Sequence, residues 1–326
     1  MAAMDGIIPV LVAFCGGILG AALGGLNAFI LCGLASIVGT ILTMVTGNAT
    51  FNQIVTWGPF LGPHVAFAGG VVAAAYAARM GKLCSGRNVL VALFGFNDPG
   101  ILAVGGAFGA FGYLIKWGLD AIPDIGSFAW TNTIALSIVI TTAIGRWAFG
   151  RTGLLGRVPQ GRSRWRLSRD EAWQPWPSGP FQVLLIGVGV SLPVAYSVQA
   201  LPASTGLFFG FGALSLLFFQ FGAKIPVILH IALSAEFLTL ATGHAGWGLV
   251  FGVLAAFLTE WLACVFLIHG DTHIDPPAMS LVVIFTIYPV CRVTGIFSLT
   301  GIMPYLFACI MCITGVYLLH RLQKVS

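Results

Sequence analysis

Ile225-Pro226-Val227 opens a segment that runs through Gly248-Leu249 to Gly270-Asp271-Thr272-His273-Ile274-Asp275. Ile8-Pro9-Val10 opens a similar one near the other end, through Gly25-Leu26 to Gly47-Asn48-Ala49-Thr50-Phe51-Asn52. Gly25 to Gly47 and Gly248 to Gly270 are equally spaced, and a short gap aligns the remainder. Each segment reads as an apolar hairpin with a polar tip. Two related hairpins that point opposite ways in a bilayer are the architecture of secondary transporters.

Composition puts the chain in the membrane. Charged residues are 8% of its 326 residues, hydrophobic ones 58%, and the mean hydropathy is +0.97. A spanning helix needs about 20 apolar residues, so the chain holds about eleven spans: 7–24, 26–47, 61–80, 88–118, 126–148, 180–200, 203–222, 224–243, 246–269, 279–299 and 302–321. The fold class expected is an all-α polytopic membrane protein with inverted-topology hairpin repeats. Residues 1–149 form an N-terminal membrane half, 150–178 an Arg-rich loop and 179–326 a C-terminal membrane half. No Lys or Arg precedes the first apolar run, so it reads as a span and not as a cleaved signal peptide. Seven cysteines, an odd number lying mostly in apolar runs, argue against a disulfide framework. Cys309 and Cys312 read as small core residues of a helix.

Basic residues set the expected orientation. Arg79, Lys82, Arg87, Arg146, Arg151, Arg157, Arg162, Arg164, Arg166, Arg169, Lys224, Arg321 and Lys324 all fall on one side of an eleven-span chain. The positive-inside rule makes that side cytoplasmic. The expectation is an inner (plasma) membrane protein with its N-terminus outside and its C-terminus inside. Asp5, Asp120 and Asp124 then lie outside. The Arg-rich loop, with Trp173 and Trp176, is expected on the anionic inner leaflet, with the lipid bilayer as its partner and no nucleic acid.

Several polar residues interrupt the apolar background. Asn97-Asp98-Pro99-Gly100 sits in a 30-residue apolar stretch, where Pro99 disfavours helix at Asp98. The expectation is a broken helix near residues 97–100, with Asn97 and Asp98 at a coupling-ion site or Asp98 acting as an N-cap alone. His269, Asp271, His273 and Asp275 occupy alternate positions. If extended, they share one face and could hold a divalent cation or relay protons. Asn48 and Asn52 stand at the corresponding tip. His230, Glu236 and Glu260 lie within spans, where a carboxylate must be protonated, paired or facing water. Lys116 and Arg292 are the cations left to pair with a carboxylate or bind an anionic solute. Prolines make 48–63 and 270–278 candidate re-entrant segments, with His64 following the first.

Two short resemblances can be drawn. Asn97-Asp98-Pro99-Gly100 resembles the Asp-Pro-Gly-Asn break of the Nramp metal-ion transporters, with Asn preceding Asp instead of following Gly, over four residues only. Asp271-x-x-x-Asp275 resembles one acidic motif of membrane prenyltransferases, which hold magnesium on a diphosphate with two such motifs; no second motif is present here.

The leading expectation is a secondary transporter (permease) moving a small polar solute or ion, coupled to protons or to a monovalent or divalent cation. No nucleotide-binding motif is present, so direct ATP drive would need a partner. The alternatives are an integral membrane enzyme acting on a lipid or isoprenoid diphosphate at the inner interface, and an ion channel with a carboxylate ring in a homo-oligomer.

Overall fold

The computed structural model describes residues 6–125, 129–165 and 179–324, with backbone only at 323 and 324. Asp5, Arg166, Arg169, Trp173 and Trp176 lie outside the described residues. Eleven helices follow in order: α1 (Ile7–Leu23), α2 (Gly25–Thr46), α3 (Ala68–Arg79), α4 (Pro99–Asp120), α5 (Thr133–Phe149), α6 (Pro180–Ala200), α7 (Leu207–Ser215), α8 (Leu229–Thr242), α9 (Ala245–Phe266), α10 (Pro276–Val293) and α11 (Met303–Lys324). Each overlaps, in order, one of the eleven stretches expected as spans, but not all are long enough to cross a membrane. Among the described residues, seven helical segments are long and apolar enough to cross a membrane, and α1, α5 and α8 are shorter apolar helices. The protein is all-helical and membrane-embedded.

Side chains are distributed as lipid requires. Leu11, Leu34, Ile41, Leu185, Ile310 and Ile313 are exposed, while Ala21, Ala28, Ala74, Ser137, Ser191 and Ala255 are buried. Apolar burial gains little between helices in lipid, so small residues that let backbones approach take its place. Gly17 of α1 lies against Gly105 and Gly109 of α4, and a Cβ on any of the three would collide with the facing helix. Gly252 of α9 meets Ser191 of α6 in the same way.

The packing has a pattern that the hairpin reading missed. α1 packs on α4 and α3, and α4 on α3 and α5; α6 packs on α9 and α8, and α9 on α8 and α10. Between the halves, α2 lies against α7 and α5 against α10. α11 packs on α9 and α6. The expected hairpin partners are unlike: α8 and α9 pack closely on each other, whereas α1 and α2 splay to separate neighbours.

Contacts also fix relative directions. Leu26 N donates to Val89 O, and Arg87 to Ile268 O, 2.7 Å. Arg157 N donates to His269 O, and Lys82 pairs with Asp98. The carboxyl ends of α1, α3, α5 and α9 therefore gather at one end with most of the described arginines, here the Arg-rich end. Ala245 N donates to Gln199 Oε1, which places the carboxyl end of α6 at the opposite end, beside the start of α9. α1 runs toward the Arg-rich end and α6 away from it.

Two departures from expectation concern helix breaks. Residues 88–98 do not extend α4 into a long span. Apart from a 3-10 turn at Leu93–Phe96, they run along the Arg-rich end, held by Leu26 N and by the Asn27 amide, which donates to Leu90 O. Helix begins at Pro99, with Asp98 as its N-cap. The deeper interruption is the segment before α3. A π-helical turn at Asn52–Thr56 lies beside α2, where Asn52 abuts Gly39 and Cys32 Sγ donates to Thr56 O. The backbone at Pro59 and Phe60 then passes Gly16, halfway along α1, before a second π turn at Pro63–Phe67 leads into α3. The start of α8 is also placed halfway along a neighbour, with Leu229 against Gly212 of α7.

Candidate functional site

A cavity of about 190 Å³ lies where the two halves meet. Each wall has contributions from both: Phe29 of α2 and Phe209 of α7, Pro63 and Leu229 at the starts of the α3 and α8 segments, and Asn132, Ala135 and Ile138 of α5 facing Asp275, Ala278 and Leu281 of α10. The last two triplets have equal spacing. Asn132-x-x-Ala135-x-Ser137-Ile138-Val139 and Asp275-x-x-Ala278-x-Ser280-Leu281-Val282 are matching helix starts. Asn132 Oδ1 accepts from Ala135 N at 2.9 Å, and Asp275 Oδ2 from Ala278 N at 2.8 Å, so both are N-caps three residues ahead of their partner. Trp57 completes an aromatic wall, its ring 4.9 Å from Phe209, which is 5.9 Å from Phe29.

Among the described residues, Asp275 is the one ionisable group lining this cavity. Its Oδ1 is 3.2 Å from His273 Nε2, and the His273 ring stands edge-on to Phe67. The other two members of the alternating motif point elsewhere, which corrects the expectation that all four share a face. His269 Nε2 lies 3.3 Å from Arg164 O, and Asp271 accepts from Thr152 Oγ1 at 2.7 Å and from Arg151 N at 2.6 Å. The four are two pairs, because the arginine-bearing loop after α5 takes the first two and α10 takes the last. Among the described residues, no three His, Cys, Asp or Glu side chains converge as a metal site requires. Burial pushes Asp271 up, but the bonds from Thr152 and Arg151 and the charge of Arg146 outweigh it and hold the carboxyl below its usual value.

Arg146 holds that end together. It is buried in the last turn of α5, donates from Nε to Thr272 Oγ1 at 2.9 Å and from Nη1 to Leu154 O at 2.8 Å, and also donates to Phe266 O and Thr272 O. Sequence reasoning counted it only as a loop charge. Its sole signal was one arginine placed before the loop proper. At the opposite end the corresponding contact is lighter: Thr131 and Thr286 hydroxyls meet at 2.8 Å.

The other expected site residues are dispersed. Glu236 is fully buried, and its Oε1 accepts from the backbone N–H groups of Gly206, Phe208 and Phe209, capping the amino end of α7 from α8. One of its donors, Phe209, lines the cavity. His230 is buried on the same helix, one turn before Ser234. Glu260 is buried on α9 beside Cys264, away from the cavity lining. Asn97 takes a left-handed conformation at the exposed Arg-rich end. Asp98 is paired there with Lys82 at 2.7 Å and accepts from Gly100 N; the lysine hydrogen bond and the Gly100 N–H hold its carboxyl below its usual value. Of the two expectations for these residues, the N-cap reading fits: Asp98 caps the start of α4, and Asn97 ends the preceding 3-10 turn. Asn48 Oδ1 accepts from Thr50 N at an exposed turn, and Asn52 is packed on Gly39. Lys116 pairs with Asp120, and Arg292 donates to Ala241 O at 3.2 Å and Tyr288 Oη at 3.3 Å. His64 is fully buried at the start of the α3 segment, its ring 6.3 Å from Tyr113. Neither Asn132 nor Trp57 was singled out from sequence. Asn132 is a common N-cap residue, and only its match to Asp275 marks it.

No characterised protein and no solved structure matches the chain. A family model, described as a family of unknown function (DUF7973), matches residues 2–164 and 159–306, with the two stretches meeting between α5 and α6. Those stretches take in most of the sequence, and the chain belongs to this DUF7973 family.

Proposed function

We propose that the protein is a secondary transporter of a small polar solute or ion, built from two five-helix units of opposite orientation, α1–α5 and α6–α10. The observation that carries the reading is the cavity. Its lining includes Asn132, Ala135 and Ile138 of the α5 start and, at the same spacing, Asp275, Ala278 and Leu281 of the α10 start, with one phenylalanine each from α2 and α7. A site on such an axis, next to interrupted helices at mid-depth, can be exposed to either side by rocking one unit against the other. The interrupted segments before α3 and α8 and the opposed directions of α1 and α6 support the same reading. Buried Glu236 and His230, near the cavity but outside its lining, suit coupling to protons or cations. By the positive-inside rule the Arg-rich end is cytoplasmic in an inner membrane, with the N-terminus outside and the C-terminus inside.

The test needs no known substrate. Ala135→Cys and Ala278→Cys, in a background without the seven native cysteines, are exposed to an impermeant thiol reagent from each side of oriented vesicles. Alternating access requires each position to react from both sides. Labelling from one side only, at both positions, would remove the transporter reading.

A further inference from the structure

From two matching buried rings we infer that His64 and His230 are a pair of proton-binding side chains, one beside each wall of the cavity, and that proton uptake by them accompanies its exposure to water. The inference rests on the transporter reading for the use of those protons, but protonation itself can be measured without transport.

The match is in sequence and in place. His64-Val65-Ala66-Phe67 follows Pro63, and His230-Ile231-Ala232-Leu233 follows Leu229. Pro63 and Leu229 line the cavity where the α3 and α8 segments begin, and the histidine after each is buried outside that lining. Neither ring is satisfied there. Among the described residues, His64 Nδ1 and Nε2 and His230 Nδ1 are buried without a hydrogen-bond partner, as are the hydroxyls of Thr141 and Ser234. Ser234 stands one helical turn after His230, and Thr141 Oγ1 and the His64 carbonyl both border Gly112 of α4.

A neutral imidazole carries one N–H and one lone pair. Each left unmatched in the interior costs about 1–3 kcal/mol, and an imidazolium with nothing beside it costs more. An apolar side chain would fill either position more cheaply. A histidine at the same place in both halves gains its partner when water enters, and its free nitrogen can then take a proton near neutral pH.

Few other groups can compete for that proton or repel it. Around residues 63–67, α4 brings Tyr113, with its ring 6.3 Å from that of His64, and Lys116, which is paired with Asp120. His273 stands edge-on to Phe67. α1 and α2 bring Cys15 and Cys32, and Tyr76, Arg79 and Arg146 of α3 and α5 lie toward the Arg-rich end. Around α8, α10 brings Asp275 at its start and Tyr288, Cys291 and Arg292 near its end, α6 brings Tyr196, and α9 brings Glu260 and Cys264. Glu236, on α8 itself, is turned to the start of α7. Glu260 is the buried acid of a neighbouring helix, so its glutamine variant is the control.

Ring ¹⁵N spectra of the full chain in bilayers, between about pH 8 and pH 5, read the protonation directly. Glutamine variants of His244, His269, His273 and His320 leave two signals to assign, even where His64→Gln or His230→Gln fails to fold. Both rings should pass from neutral to imidazolium within that window. Over the same window, the ratio of labelling from the two sides at Ala278→Cys, in which the thiol's own ionisation cancels, should shift by about fivefold or more. The shift should vanish when both histidines are glutamine and persist in Glu260→Gln. Rings that stay neutral throughout, or only one that titrates, overturn the pair. A ratio that ignores pH, that moves equally without the two histidines, or that stops moving in Glu260→Gln alone overturns their coupling to exposure while two-sided access stands. Titrating rings with labelling from one side only keep the proton sites and remove the transporter reading.

Discussion

At Glu236 one carboxylate oxygen accepts three backbone N–H groups of a neighbouring helix start. Removing it leaves those donors buried and unmatched, each costing about 1–3 kcal/mol. Glu236→Ala should therefore destabilise by about 3 kcal/mol or more, and Glu236→Gln, which keeps an acceptor, by clearly less. Thermal melts of the two variants in detergent check this; equal losses would mean the acceptor is unimportant. Asp98 and Asp271 make a pH prediction. Both carboxyls are held below their unfolded values, so their ionised forms stabilise the fold above the ordinary carboxylate range. That contribution is lost as pH falls through the depressed values. Melting temperature should drop on acidification, and the drop should shrink in Asp98→Asn and in Asp271→Asn; unchanged acid profiles would count against it. The carboxylates in spans were legible as functional candidates, because ionisable groups are rare there. Which of them share a site was not, since Glu236 and Asp275 meet their surroundings through backbone groups that carry no sequence signal.

For whole elements, glycine placement decides how closely helices approach. A Cβ on Gly20 would collide with the backbone of Ala66, whereas one on Gly118 meets nothing within 4 Å. Gly20→Ala should lower the melting temperature strongly. Gly118→Ala should be neutral or stabilising by up to about 1 kcal/mol from helix propensity. Similar melts for the two would refute close packing of α1 against the start of α3. Arg146 fastens the end of α5 to the loop before α10. Arg146→Lys retains the charge but cannot supply the same fan of donors. It should lose stability, and Arg146→Met more, by about 1–3 kcal/mol for each buried carbonyl that loses its donor; faster proteolysis at 267–275 would report the release. Helix order was readable from hydropathy, but the nature of residues 88–98 was not. Val89-Leu90-Val91-Ala92-Leu93 is as apolar as a span, and hydropathy does not record whether such a stretch crosses a bilayer or lies at its edge. The break before α3 was visible only as two prolines and a pair of glycines.

Across the whole molecule, the first-noticed likeness joined residues 8–52 to 225–275, while the units proposed above are α1–α5 and α6–α10, whose packing neighbours match in order. Apolar glycine-rich helices resemble one another at many offsets, so similarity alone selects no register. The decisive residues are few: two N-caps of different chemistry, each followed by the same Ala and Ser. The collection of basic residues at one end has a separate consequence. Arg79, Lys82 and Arg87 flank the connection from α3 to α4, whereas the connection from α8 to α9 is Gly243-His244, without a lysine or arginine. In the proposed arrangement, two units that hang in opposite senses give the insertion machinery no preferred way up. Sidedness must then be written in a handful of arginines that the helix packing ignores. Neutralising the basic residues around the α3–α4 connection and placing three lysines around Gly243 should turn the chain over in the membrane, read by a reporter fused at its end, with the melting temperature nearly unchanged.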